Sequence, residues 1–209
     1  MAAPPFDVEA AVAHVARRDR ALGRLIREVG PCRLEIAARQ SPYEAIAESI
    51  VYQQLAGRAA AAIYARFCAA LGSRRCPRPE RVLAAPLETL RAAGLSKSKA
   101  TAIQHLAQLT LDGEIPTRAQ AAKLADEELV ERLTVVRGVG RWTAEMFLIF
   151  TLGRPDVLPI DDYGVRKGYA RTVGREVLPK PKELALQGES WRPYRTVASW
   201  YLWRATELA

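Results

Sequence analysis

Two histidines and three cysteines are the only imidazole and thiol groups in this chain of 209 residues. The cysteines, Cys32, Cys68 and Cys76, are odd in number and widely spaced. A structural zinc site or an iron–sulfur cluster draws on thiol and imidazole ligands at short, fixed spacings, and no such pattern is present. His14 and His105 both fall in helical patterns and have no evident acidic or thiol partner. Reduced thiols of a cytosolic protein are the simplest account. Long apolar runs are also missing. A membrane-spanning helix needs roughly 18 apolar residues or more, and the longest stretch, Met146 to Leu152, is sized for a core helix. Residues 1–6 show no basic segment followed by an apolar one, so no secretory signal is expected. Period-2 alternation is nearly absent, and residues 33–38 are the only stretch with a brief extended reading. There are no internal repeats.

What is present is an ordinary globular composition, 49% hydrophobic and 26% charged, with a net charge of +8. That length is ample for a buried core in one or two compact lobes. The positive charge suits polyanionic partners such as nucleic acid or an anionic membrane, but alone it is weak evidence, and a solvated basic surface is the simpler reading.

The apolar pattern is helical throughout and predicts an all-α fold. Asp7 and Asp19 stand where they can cap two successive helices, the second closed by Gly30-Pro31. Ser41-Pro42-Tyr43-Glu44 reads as a capping box with proline at the first helical position. An alanine-rich helix follows from about Arg58 to Leu71, then two short ones between Glu80 and Ala93. Ser96 opens another, and Asp126 is expected to cap the helix that runs into Val135. A short helix follows Asp162, and the last starts near Pro193.

The sharpest local signal is Gly138-Val139-Gly140, which separates one helix from the next. Two glycines let the backbone turn tightly and come close to another surface. The amides and dipole at the new helix's N-terminus suit a phosphate, and Val139 is expected to point inward and pin the turn. Taken alone, the same pattern also suits an ordinary helix–turn–helix corner.

Further motifs narrow the choice. Gly138 to Ala144 (Gly-Val-Gly-Arg-Trp-Thr-Ala) leads into an apolar helix and then into Pro159-Ile160-Asp161-Asp162-Tyr163. With Glu48 to Leu55, Gly94 to Ala100, and Trp191 to Arg195 followed by Trp203, this order resembles the helix-hairpin-helix DNA glycosylase superfamily. Within it the chain is most similar to the 3-methyladenine DNA glycosylase II family, over roughly residues 20–205. The resemblance implies two helical lobes with an active-site cleft between them. One lobe is expected over residues 43–154, with the wedge loop and hairpin, and the other over 1–42 plus 155–209, with the catalytic carboxylate.

The resemblance also implies roles. Asp162 matches the catalytic aspartate, and its neighbour Asp161 reads more readily as a helix cap; for both, N-capping of the helix that follows is the other reading. Trp142, Tyr163 and Trp203 match base-pocket aromatics, where core packing is the other reading, strongest for Trp203 because Trp200 lies one turn away. Leu55, with Gln54 beside it, matches the DNA wedge, against the reading of a helix-end core residue. Phosphate contacts are expected from the hairpin, Arg137, Gly138, Val139, Gly140, Arg141 and Thr143; Arg58, Ser96, Lys97 and Lys99 are further candidates, for each of which a solvated surface position is an equal reading. No cofactor is required; a structural Na+ or K+ on the hairpin carbonyls of Thr134, Val136 and Val139 is implied.

The chemistry suits a lone carboxylate. Cleaving an N-glycosidic bond builds positive charge on the sugar, which a fixed carboxylate stabilises. A 3- or 7-methylated purine is already cationic and leaves without much acid catalysis. Family members with lyase activity carry a lysine where this chain has Trp142, and an indole forms no Schiff base. The expected activity is therefore base excision alone, on double-stranded DNA with damaged bases, leaving an abasic site. The expected protein is a cytoplasmic monomer, nucleoid-associated in a bacterium, with no membrane contact. Other readings are a glycosylase for a different damaged base, a non-catalytic helix-hairpin-helix DNA-binding module, or a basic RNA binder. Two features depart from the family. The chain is too short to include the extra N-terminal β-rich domain of some members, and Arg137 replaces the usual proline before the first hairpin glycine. The lack of a four-cysteine cluster argues against the family's iron–sulfur branches.

Overall fold

The computed structural model describes residues 2–208, and the described chain is all-α. One isolated antiparallel bridge, Ala2 with Ile36, is the only β pairing among the described residues, and it falls in the stretch with the extended reading. None of the helices is long and apolar enough to cross a membrane. The chain divides into two compact units, Met1–Ala38 with Leu148–Ala209, and Arg39–Phe147.

The first unit begins with α1 (Val8–Arg18) and α2 (Arg20–Val29). Asp7 caps α1 by accepting from the Ala10 amide at 2.9 Å. Asp19 joins the two helices and is buried. One carboxylate oxygen accepts from the Ala21 and Leu22 amides, at 2.9 and 3.1 Å. The other accepts from the Trp191 indole at 3.0 Å and the Gln187 amide at 3.3 Å. Four donors offset the desolvation of this buried acid.

The second unit holds α3 (Pro42–Tyr52), α4 (Gly57–Ala70), α5 (Pro79–Ala84), α6 (Leu87–Ala92), α7 (Lys97–Leu111), α8 (Arg118–Ala121), α9 (Asp126–Thr134) and α10 (Arg141–Phe147). The capping box at Ser41 is formed in both directions. Ile46, Ile50, Phe67, Leu90, Ile103, Leu106, Leu129 and Leu133 are fully buried and make its core. Each such side chain contributes about 1.5–3 kcal/mol by leaving water. Asp126 was expected as a cap. It is instead the first helical residue of α9, after Ala125, where its charge suits the helix dipole.

The chain re-enters the first unit through a π-helical turn, Leu148–Leu152, then α11 (Tyr163–Thr172), α12 (Pro181–Gly188), a 3₁₀ turn Glu189–Trp191, and α13 (Arg195–Ala205). The last helix starts two residues after Pro193, not at it. The loop before α11 is tied to the start of α13. Arg195 Nε donates to Asp156 Oδ1 at 2.7 Å, and its Nη2 donates to the Asp156 carbonyl at 2.8 Å. Thr196 Oγ1 accepts from the Val157 amide at 3.0 Å and donates to the Arg154 carbonyl at 2.6 Å.

Helices α11 and α13 touch backbone to backbone. A Cβ on Gly168 would fall inside the van der Waals radius of the Leu202 carbonyl oxygen. Gly168→Ala must therefore separate the two helices or bend one of them. Overpacking of this kind costs about 1–3 kcal/mol and more where backbone has to move. The expected outcome is a folded protein with a lower urea midpoint and Tm than wild type; an unchanged midpoint would mean that the helices have slack at this crossing.

Candidate active-site and nucleic-acid-binding residues

Asp162 is the N-cap of α11. Its Oδ1 accepts from the Val165 amide at 2.7 Å and from the Trp203 indole Nε1 at 2.9 Å. The cap is thus Asp162, not Asp161, which is exposed. The reason is geometric: the capping oxygen must reach an amide three residues on, and the helix starts at Tyr163. Asp162 is therefore held in one orientation by two donors that come from different helices.

Two glycines make this arrangement fit. A Cβ on Gly164 would lie 2.9 Å from Trp203 Cδ1 and 3.1 Å from Asp162 Oδ1. Gly168, one turn later, admits the α13 backbone. The Gly164-x-x-x-Gly168 spacing places both on one face of α11. That spacing is the sequence signal for the close helix contact seen here. The ring of Trp203 lies 5.6 Å from that of Phe150, tilted by 30°. Phe150, on the π-helical turn, is a further member that sequence reasoning missed. Trp200, one turn before Trp203, is 8% exposed and belongs to the core, whereas Trp203 is only partly covered. Tyr163 is largely exposed, with the Lys167 ammonium 5.9 Å from its ring centre.

In the second unit, the turn after α3 carries Gln54 and Leu55 outward. Gln54 has φ of +57°, the left-handed region that non-glycine residues rarely occupy. Leu55 is 38% exposed, so it is not a helix-end core residue. Gln53 Nε2 donates to the Gly138 carbonyl at 3.0 Å and ties this turn to the hairpin. A cavity of about 430 Å³ opens here, lined by Ser49, Tyr52, Gln53, Gln54, Gly138, Trp142 and Met146. Trp142 is 46% exposed within it.

The hairpin itself joins α9 to α10. Gly138 takes φ of +76°, and Val139 is buried, pinning the turn as expected. Val139 donates its amide to the Val136 carbonyl at 3.0 Å. Among the described residues no protein group accepts from the Gly138 and Gly140 amides. Thr143 is buried, and its amide donates to the Gly140 carbonyl at 3.0 Å. Arg137 is exposed, and its amide donates to His105 Nδ1 at 3.0 Å. The described partner of His105 is thus a main-chain amide, neither an acid nor a thiol.

The side chain of Arg141, about half exposed, is paired with two carboxylates. It forks onto both carboxylate oxygens of Glu127 at 2.6 and 2.7 Å, and its Nε donates to Glu145 at 3.1 Å. This fork joins the first turns of α9 and α10. The arginine's hydrogen bonds hold the Glu127 carboxyl below its usual range. Lys99 also turns inward, donating to the Val51 and Gln53 carbonyls at 2.8 and 2.6 Å. Burial pushes its ammonium below the usual lysine range. Lys99 is thus committed to main-chain carbonyls, whereas Arg141 is paired but stays half exposed at the surface. Ser96 caps α7 by accepting from the Lys99 amide at 3.2 Å, whereas Lys97 and Arg58 are exposed.

The arrangement invites comparison with proteins of known family. The family model described as HhH-GPD superfamily base excision DNA repair protein matches residues 47–193. The chain belongs to this superfamily. It is 38% identical over 197 residues to DNA-3-methyladenine glycosylase 1 of Schizosaccharomyces pombe, covering 94% of this chain and 86% of that protein. Among solved structures, the S. pombe 3-methyladenine DNA glycosylase in complex with abasic DNA matches with a TM-score of 0.84 at 38% identity, covering 96% of this chain and 98% of that one. A DNA-3-methyladenine glycosidase from Bacillus halodurans matches with a TM-score of 0.84 at 35% identity, covering 93% of this chain and 88% of that one.

The double duty of Asp162 separates two substitutions. Asn keeps a capping oxygen, whereas Ala removes it, and losing such a cap costs about 1 kcal/mol. Denaturant titration is expected to place Asp162→Asn within about 0.5 kcal/mol of wild type and Asp162→Ala roughly 1 kcal/mol or more below it. Equal losses for both would mean that the carboxylate charge, not the cap, supports α11.

Proposed function

We propose that this protein is a base-excision DNA glycosylase that hydrolyses the N-glycosidic bond of alkylated purines, 3-methyladenine and 7-methylguanine, in duplex DNA. The observation that carries the reading is Asp162, a carboxylate oriented by the Val165 amide and the Trp203 indole in a chain of this superfamily. The relatives named for 3-methyladenine chemistry support the choice of lesion.

The target nucleotide must leave the stack, at a cost of a few kcal/mol. Leu55 and Gln54, carried outward on a strained turn, are suited to fill the space left behind. The Gly138 and Gly140 amides, with no protein acceptor, are suited to a phosphate oxygen at the start of α10. Arg137, Arg58, Ser96 and Lys97 would add exposed polar and cationic groups along the backbone. Val139 and Thr143 are buried and would act through their main chain.

A methylated purine is a cation, and aromatic faces attract cations by about 2 kcal/mol or more when water is excluded. Trp142 in its cavity, and Tyr163 and Trp203 beside Asp162, would offer such faces. As the C1′–N bond breaks, positive charge grows on the sugar and the Asp162 carboxylate stabilises it. Water adds to C1′, its proton is released to solvent, and the base leaves neutral. Trp142 offers no amine, so no Schiff base forms and the product is an intact abasic site.

A monovalent cation would be held by the carbonyls of Thr134, Val136 and Val139. Thr134 ends α9, where the negative end of the helix dipole suits a cation; the Val136 carbonyl, which already accepts from the Val139 amide, would use its second lone pair. Such an ion would stiffen the turn and takes no part in bond cleavage. The protein would act as a monomer in the compartment that holds DNA, the cytoplasm or the bacterial nucleoid.

The test is base release from methylated duplex DNA, wild type beside Asp162→Asn. Wild type is expected to release methylated purines and leave uncleaved abasic strands. The variant is expected to bind DNA as well but to release base roughly 10²-fold more slowly or worse. Strand cleavage by wild type, or equal release by both proteins, would overturn the reading.

A further inference from the structure

The partly buried Lys99 ammonium beside the α3 turn has no place in the chemistry above. Lys99 lies in the first turn of α7, where the Ser96 cap fixes the backbone. Its Nζ reaches the end of α3 and donates to the Val51 carbonyl at 2.8 Å and the Gln53 carbonyl at 2.6 Å. Carbonyls at a helix C-terminus have no partners within the helix, and a cation there also meets the negative end of the dipole. Gln53 then passes the restraint on, because its side-chain amide donates to the Gly138 carbonyl at 3.0 Å. The next residue, Gln54, sits at φ of +57°, and Leu55 follows it into solvent. A non-glycine residue in that conformation persists only where its surroundings over-determine it.

We propose that Lys99 is the positioning residue of the wedge: through the Val51 and Gln53 carbonyls it holds the turn that displays Gln54 and Leu55 in register with Gly138. The proposal rests on the glycosylase reading for its functional consequence, not for its structural one. It assigns Lys99 a role different from the phosphate contact expected from sequence. A lysine that donates to two main-chain carbonyls and is partly buried gives up little charge to a phosphate. A wedge works by resisting the return of the base into the stack, so a loose turn should hurt most where the stack pulls hardest. A target base already in a mismatch is easier to extrude and should be less affected.

Lys99→Met removes the donors but keeps the stem, and Lys99→Arg restores them in another geometry. Three readouts separate the possibilities. Amide hydrogen exchange of the free protein is expected to rise in residues 52–57 of Lys99→Met and to stay unchanged in α9. Single-turnover release from methylated duplex at saturating enzyme is expected to slow by about tenfold or more for a paired target base and by about threefold or less for a mismatched one. The salt dependence of binding to undamaged duplex is expected to match wild type, whereas a lost phosphate contact would lower the logarithmic slope by about 0.9. Lys99→Arg is expected to recover most of the rate on paired DNA. Gln53→Ala, which cuts the link to Gly138 alone, is expected to show the same paired-over-mismatched bias even if Lys99→Met folds poorly. Unchanged exchange, a reduced salt slope, or equal slowing on both substrates would overturn the proposal. Absence of base release by wild type would instead overturn the glycosylase reading, with the exchange measurement still deciding the role of Lys99 in the turn.

Discussion

Helices α11 and α13 lie so close at Gly168 that the Leu202 carbonyl oxygen occupies the place a side chain would take. Much of the first unit's chemistry depends on that approach. It brings the Trp203 indole within hydrogen-bonding distance of Asp162, and Gly164 leaves the space through which the ring passes. A carboxylate that caps its helix through one oxygen is oriented by a backbone amide. The same oxygen meets a second donor from α13, so cap and indole together define its direction. The loop before α11 is likewise held to α13 through Asp156, Arg195 and Thr196. Asp162 is thus fixed from both sides, which is what electrostatic stabilisation of a developing charge requires.

The second unit solves a different problem, the unpaired carbonyls and amides where short helices end. Lys99 takes two carbonyls at the end of α3, and the side-chain amide of Gln53 takes the Gly138 carbonyl. The Arg141 fork on Glu127 closes the two arms of the hairpin. Among the described residues the Gly138 and Gly140 amides have no protein acceptor. The same economy explains why Lys99, which looks like a phosphate ligand in sequence, turns to the protein instead: a helix end claims it first.

Much of this was legible before any coordinates. The caps at Asp7, Asp19, Ser41 and Ser96, the turn at Gly138 and the inward Val139 follow from rules that act within a few residues. The superfamily was legible because its hairpin and its Pro-x-Asp-Asp-Tyr segment are short, ordered motifs. Other features were not. Asp161 and Asp162 are chemically alike, and only the phase of α11 decides which one caps it. Trp200 and Trp203 are one turn apart, and only the packing of α13 sends one into the core and the other to Asp162. Phe150 joins Trp203 through a π-helical turn that no local pattern announced.

The amino-acid sequence by itself determined that this chain is helical, where most of its helices start and stop, and which family it joins. These properties arise from side chains meeting the backbone three or four residues away, or from motifs a few residues long. Only the tertiary structure decided what Lys99, Arg141, Trp203 and the paired glycines of α11 do. Lys99 meets Val51 across 48 positions of chain and Trp203 meets Asp162 across 41. At such separations neither spacing nor propensity carries information about direction. The outcome is set by which helix faces come into contact and by which unpaired group stands nearest when they do.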